Sequence, residues 1–142
     1  MRHATAADPG GIPDAQRPLS DQGRREAREA GEALRGRHEE IDLVLSSPRL
    51  RARETAEILV QALGGTAAPE VRESLSCGAT SESFRTEIEA RPAAKLLLVA
   101  HNPELSAFAS GLVGQPVSFR PGTMCAIDLD SDGGRLIWLR HP

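Results

Sequence analysis

The strongest pattern along the chain is an unbroken apolar run, Leu96 to Ala100, followed at once by His101-Asn102-Pro103. A run without polar alternation suits a strand covered on both faces, as in a parallel sheet. A second run, Ile41 to Leu45, ends in Ser46-Ser47-Pro48 and predicts a buried strand, a turn and a helix start. Proline fits the first helical position, where its missing amide hydrogen would have had no partner. That helix is expected to carry Thr55, Ala56, Ile58, Leu59 and Leu63 and to stop at Gly64-Gly65. Ser20 reads as the N-cap of an earlier helix reaching Arg37, with Leu34 and several alanines on its inner face.

Residues 4–18 are small, polar and interrupted by proline, and read as a loop. Val71 to Leu75 is a strand candidate, and residues 82–91 predict a polar helix ended by Pro92. A further helix is expected from Pro103 to Val113. Cys125–Leu129 and Arg135–Arg140 read as strands of a terminal hairpin joined by Ser131-Asp132-Gly133-Gly134. Strand and helix alternate through the middle, so the expected class is α/β with a mainly parallel central sheet flanked by helices.

A length of 142 residues predicts a single domain spanning 1–142. With 39% hydrophobic and 26% charged residues the composition is globular rather than disordered. The longest apolar run falls far short of the roughly 20 residues that span a bilayer. No basic-then-apolar leader opens the chain, so a cytoplasmic protein with no membrane partner is expected. Seventeen basic and twenty acidic residues leave a formal charge of -3, the wrong sign for a nucleic-acid partner. Lys95 is the sole lysine; the other cations are arginines, whose planar fork suits phosphate and carboxylate. Cys77 and Cys125 stand in no metal or redox spacing and are expected as reduced, partly buried thiols.

In open α/β sheets, ligands sit beyond the carboxyl ends of the strands. Two such junctions carry chemistry, Ser46-Ser47-Pro48-Arg49-Leu50-Arg51 and His101-Asn102, and Arg2-His3 forms a third group. Two histidines and several arginines meeting there would bind a dianion. Phosphate carries about -1.5 to -2 charges at neutral pH and accepts bidentate arginine contacts.

Four fragments, in this order and spacing, resemble the histidine phosphatase superfamily over most of the chain. They are Arg2-His3-Ala4; Arg17-Pro18-Leu19-Ser20 with Gly23; Ser46-Ser47-Pro48 through Arg51-Ala52 and Thr55-Ala56; and Val99-Ala100-His101-Asn102-Pro103. The compact SixA-type phosphohistidine phosphatases are the branch resembled most. The resemblance implies a three-layer, phosphoglycerate mutase-like fold, a nucleophilic His3, and phosphate contacts from Arg2, Arg51 and His101, with Asn102 beside them. Arg51 rather than Arg49 matches the family arginine, because Ala-x-x-Thr-Ala follows it; Arg49 is left outside the pocket. Many relatives use an acidic residue to protonate the leaving oxygen. Glu73 and Glu82 are the candidates here, and Ala79 stands where an acid would be expected. No metal and no cofactor are implied, and the protein is expected to be monomeric.

The chemistry agrees with those roles on its own terms. An imidazole attacks phosphorus as the neutral base, and its ordinary pKa of about 6.5 is expected to be pushed down by nearby arginines. Its other nitrogen needs an acceptor to fix the tautomer. The product is a covalent phosphoimidazole, later split by water. Arg2, Arg51 and His101 would stabilise charge on the equatorial oxygens. A phosphoramidate departs without a strong acid, which favours phosphohistidine on a protein as substrate. Only 50 positions separate Arg51 from His101, too few for a wall around a small molecule. The alternatives are a small-molecule phosphomonoesterase or mutase acting on a phosphate ester, and a catalytically silent phosphate-binding module.

In that family the Arg-His pair ends a central first strand of roughly five apolar residues. Here only Met1 precedes it, so that strand is missing. The expectation is a native start further upstream, or another segment filling the slot.

Overall fold

A computed structural model of the chain describes residues 1–65, 67–92, 95–131 and 133–142. In chain order the elements are α1 (Asp21–Gly36), β1 (Leu43–Ser46), α2 (Leu50–Leu63), β2 (Glu70–Val71), α3 (Ser81–Glu89), β3 (Leu96–Val99), α4 (Glu104–Val113), β4 (Met124–Asp130) and β5 (Gly133–Arg140). Short 3-10 turns lie at Asp14–Gln16 and Glu73–Leu75. None of the helices among the described residues is long and apolar enough to cross a membrane.

β1 is the middle of a parallel sheet ordered β2-β1-β3, with Leu43 opposite Leu96 and Ser46 opposite Val99. Alternate residues of these strands face opposite ways. Val44, Leu97 and Val99 pack with Ala30, Leu34, Ala52 and Leu59 of α1 and α2. Leu45 and Leu98 pack with Phe84, Phe108 and Leu112 of α3 and α4. Helices therefore cover both faces, which explains why the Leu96–Val99 run shows no polar alternation. α1 and α2 approach closely: a Cβ at Gly31 would lie 2.4 Å from the Leu59 carbonyl oxygen.

The hairpin β4-β5 forms a second, antiparallel sheet, with a bulge between Ala126 and Ile127. Asp132, in the expected connection, lies outside the described residues. Met1 to His3 bridge the two sheets. The Met1 ammonium donates to Leu98 O at 2.8 Å, and His3 N–H donates to Ala100 O at 3.1 Å, parallel to β3. On the other side, Arg2 N–H donates to Thr123 O and Gly122 N–H to His3 O, each at 3.0 Å. Beyond this three-residue bridge the sheets part around an apolar cavity of about 690 Å³, lined by Leu96, Leu98, Met124, Ile127 and Trp138 among others. No described segment fills that slot.

Three local expectations need correction. Pro48 precedes the N-cap Arg49 of α2 instead of occupying its first turn. Of the Val71–Leu75 stretch only Val71 is strand, paired after Glu70 in the two-residue β2; Arg72 N–H donates to Ser46 O at the end of β1 and the chain then turns. Cys77 is exposed, while Cys125 is half-buried and burial pushes its thiol up.

Candidate active site

The parallel sheet delivers three groups to its carboxyl edge. His101 follows β3 directly, Ser47 follows β1, and Arg51 sits in the first turn of α2. His3 joins them because its backbone pairs with Ala100. The two imidazole centroids are 5.1 Å apart, with planes inclined at 55°. His3, Arg51 and His101 retain only 7%, 6% and 2% of their accessible surface, unusually little for groups that titrate or carry charge.

His3 Nδ1–H donates to the Ala4 carbonyl at 2.8 Å, which leaves Nε2 as the bare nitrogen. Arg51 Nε–H points at that nitrogen from 3.2 Å. The ring is thus held neutral, with its lone pair aimed at a guanidinium. Its pKa falls to about 4, chiefly through burial; Arg51, Arg2 and Arg17 push the same way, against the Ala4 hydrogen bond. Burial, then, outweighs the arginines that the sequence reading held responsible. His101 falls further, to about 3, through burial first and then its neighbours His3, Arg51 and Arg49.

Two buried nitrogens at this edge lack partners among the described residues: His101 Nδ1 and Arg2 Nε. Ser47 Oγ accepts from Arg49 N–H at 3.3 Å and lies 2.7 Å from His101 Nε2. Its own hydrogen has no other acceptor among the described residues, so we assign it to Nε2, which puts the imidazole proton on Nδ1. A buried donor without an acceptor costs about 1–3 kcal/mol. An oxyanion would relieve that cost. Arg2 also donates from Nη1 to Phe119 O at 3.1 Å, and burial with the nearby Arg51 holds its guanidinium below the usual range.

Asn102 is committed elsewhere. Its Nδ2 donates to Phe119 O at 2.8 Å and its Oδ1 accepts from Ser106 Oγ at 3.0 Å, so it ties α4 to the 117–120 segment. These bonds use one of the two Nδ2 hydrogens and leave the second for another acceptor. Glu73 lies exposed on its 3-10 turn, and Glu82 in the first turn of α3 is exposed as well. Neither carboxylate pairs with His3, Arg51 or His101.

One residue that the sequence did not mark, Asp14, stands here, and Arg49 reaches it. Asp14, on the 3-10 turn of the 4–18 loop, takes both terminal nitrogens of Arg51: Nη1 on its carbonyl at 2.7 Å and Nη2 on Oδ2 at 3.1 Å. Arg49, set aside earlier, reaches the same Oδ2 from 2.9 Å. An acidic residue in a polar loop carries no periodicity that would mark it.

Positioning falls to the elements around His3. Thr55 Oγ1 accepts from Ala4 N–H at 3.1 Å and donates to Arg51 O at 2.6 Å, joining the two halves of the site. Glu26 accepts from Thr5 N–H at 2.9 Å, and Ser20 caps α1 by accepting from Gly23 N–H at 3.0 Å. Gly23 touches the backbone of Thr5 so closely that a Cβ would lie 2.0 Å from its carbonyl oxygen. Among the described residues, no three His, Cys, Asp or Glu side chains gather as metal ligands.

Known proteins share this architecture. Phosphohistidine phosphatase SixA of Escherichia coli K12 is 30% identical over 148 residues, covering 100% of this chain and 91% of SixA. The uncharacterised Mycobacterium tuberculosis protein Rv1276c is 40% identical over 111 residues, covering 77% and 67% of the two chains. A structure of the protein histidine phosphatase SixA complexed with tungstate superposes with a TM-score of 0.89 at 28% identity, covering 98% of this chain and 92% of that one. A profile of the histidine phosphatase superfamily (branch 1) matches residues 1–76, the stretch that holds His3 and Arg51. With paired histidines and arginines at the sheet edge and this match over more than half its length, the chain belongs to the histidine phosphatase superfamily.

Proposed function

We propose that this chain is a phosphatase that hydrolyses protein-borne phosphohistidine through a covalent phosphohistidine on His3. The observation that carries the reading is the bare Nε2 of a buried, neutral His3 facing Arg51 at 3.2 Å. In the first step that lone pair attacks phosphorus, the Nε2–P bond forms and the P–N bond of the substrate breaks. The substrate imidazole leaves neutral, having been protonated on its ring. Water then attacks phosphorus, the Nε2–P bond breaks, and phosphate departs while a proton passes to solvent. Arg51, Arg2 and the Nδ1–H of His101 would hold the equatorial oxygens, where most phosphoryl-transfer stabilisation lies.

The substrate class rests on two supports. The SixA relative is a phosphohistidine phosphatase by name and matches this chain along its whole length. A phosphoramidate also needs no strong acid, and neither Glu73 nor Glu82 has a contact with the histidine pair. The test compares phosphate release from a phosphohistidine protein with a panel of sugar and glycerate phosphates. The phosphohistidine protein should be the better substrate, and His3→Ala should lose at least about a thousandfold in rate. Faster turnover of a small ester would overturn the substrate class. Phosphate binding without turnover would leave a binding module.

A further inference from the structure

Resting on the phosphate site proposed above, one feature points to what guards it. Among the described residues, the only carboxylate touching Arg51 is that of Asp14, which accepts from Nη2, while the Asp14 backbone carbonyl accepts from Nη1. The same carboxylate meets Arg49 Nη1 at 2.9 Å and Arg17 Nη1 at 3.3 Å. Three guanidinium groups thus converge on one carboxylate beside the His3 lone pair. A carboxylate offers two oxygens and one charge; phosphate offers more of both. With Asp14 in place, one hydrogen of each terminal nitrogen of Arg51 is engaged, and a substrate must compete for the fork.

Asp14 is also easy to dislodge. Its side chain is 50% exposed, and its 3-10 turn buries no residue. Residues 8–16 are exposed throughout, and Gly10 and Gly11 adopt positive φ at 46° and 81°. The loop base is fastened separately, by Ala7 N–H to Pro18 O at 2.9 Å and by Arg17 on Ala7 O. The tip can therefore swing away without disturbing His3.

We propose that Asp14 is an internal stand-in for the substrate phosphate, holding the arginines until a dianion displaces it. On displacement Arg51 turns to the phosphate and Arg49 is freed at the rim to join it, while Arg17 keeps its bonds to Ala7 O. The device sets specificity: a ligand must out-compete a resident carboxylate, so dianions bind and singly charged anions are excluded. The apparent affinity for phosphate is lowered by the fraction of molecules in which Asp14 holds the site.

The test uses the full chain with inorganic phosphate as the probe. Asp14→Asn removes the charge at an exposed position and keeps both the shape and the backbone carbonyl contact to Arg51 Nη1, so it isolates the carboxylate. Calorimetric titration should show phosphate binding about tenfold tighter in Asp14→Asn than in the wild type. Amide hydrogen exchange across residues 8–16 of the wild type should quicken when phosphate is added. Equal or weaker binding by the variant would overturn the proposal, because Asp14 would then support Arg51 instead of competing for it. Unchanged exchange across the loop would overturn it as well. If neither protein bound phosphate, the phosphate site itself would fall, and this inference with it.

Discussion

His3 and His101 lie 5.1 Å apart in a setting that gives each ring one defined role. Ala4 O takes the Nδ1 proton of His3, and Ser47 serves Nε2 of His101, so one ring presents a lone pair and the other an N–H. Both rings are held far below the ordinary imidazole pKa of about 6.5, at about 4 and about 3. The unfolded chain therefore binds more protons than the folded one between pH 6.5 and those values. Stability from these two sites is complete above the unfolded pKa and is lost as pH falls toward 4 and then 3. NMR titration of the rings should find both uncharged at pH 5.5, and the melting temperature should decline as pH drops from 7 to 4. Ring midpoints near 6.5 would show that the site is wetter than drawn here. At this scale, the four motif residues could be read from their fragments. Asp14 could not, because its importance comes from a loop folding back 37 positions in sequence onto Arg51.

Elements place these residues by a few close approaches. The start of α1 presses on Thr5, two positions beyond His3, and only a residue without Cβ fits the contact at Gly23. Substituting Gly23→Ala should cost about 1–3 kcal/mol by overpacking, read by urea denaturation. It should also weaken phosphate binding, because relief requires Thr5, and with it Ala4 and His3, to shift. Unchanged stability would mean that the two backbones are not in contact. The helices were largely readable, since Ser20 and Gly64 mark real ends: Ser20 caps α1, and Gly64 closes α2 with φ of 94°. β2 was harder. It pairs at only two positions, and its Val71 is exposed, so neither length nor burial pattern distinguishes it from a loop.

Over the whole molecule, the alternation of strands and helices was enough to expect helices on both faces of a parallel sheet. What local pattern cannot supply is convergence. His3, Arg51 and His101 come from three separate regions, and only the resemblance of their fragments to a family implies from sequence that they meet. The shortness of the segment before Arg2-His3 was legible too; the Met1–His3 bridge that it forms between the sheets, and the cavity of about 690 Å³ beyond it, were not. That bridge matters for chemistry because it carries His3: its five backbone hydrogen bonds, to Leu98, Ala100, Thr123 and Gly122, are what set the imidazole opposite His101. The most direct test of the account is rapid-quench labelling with a phosphodonor carrying radioactive phosphorus, followed by mapping of the label. The account predicts an acid-labile, base-stable adduct on His3 that forms and decays as fast as turnover and is absent from His3→Ala. Phosphate release with no labelled protein, or label on any other residue, would contradict it.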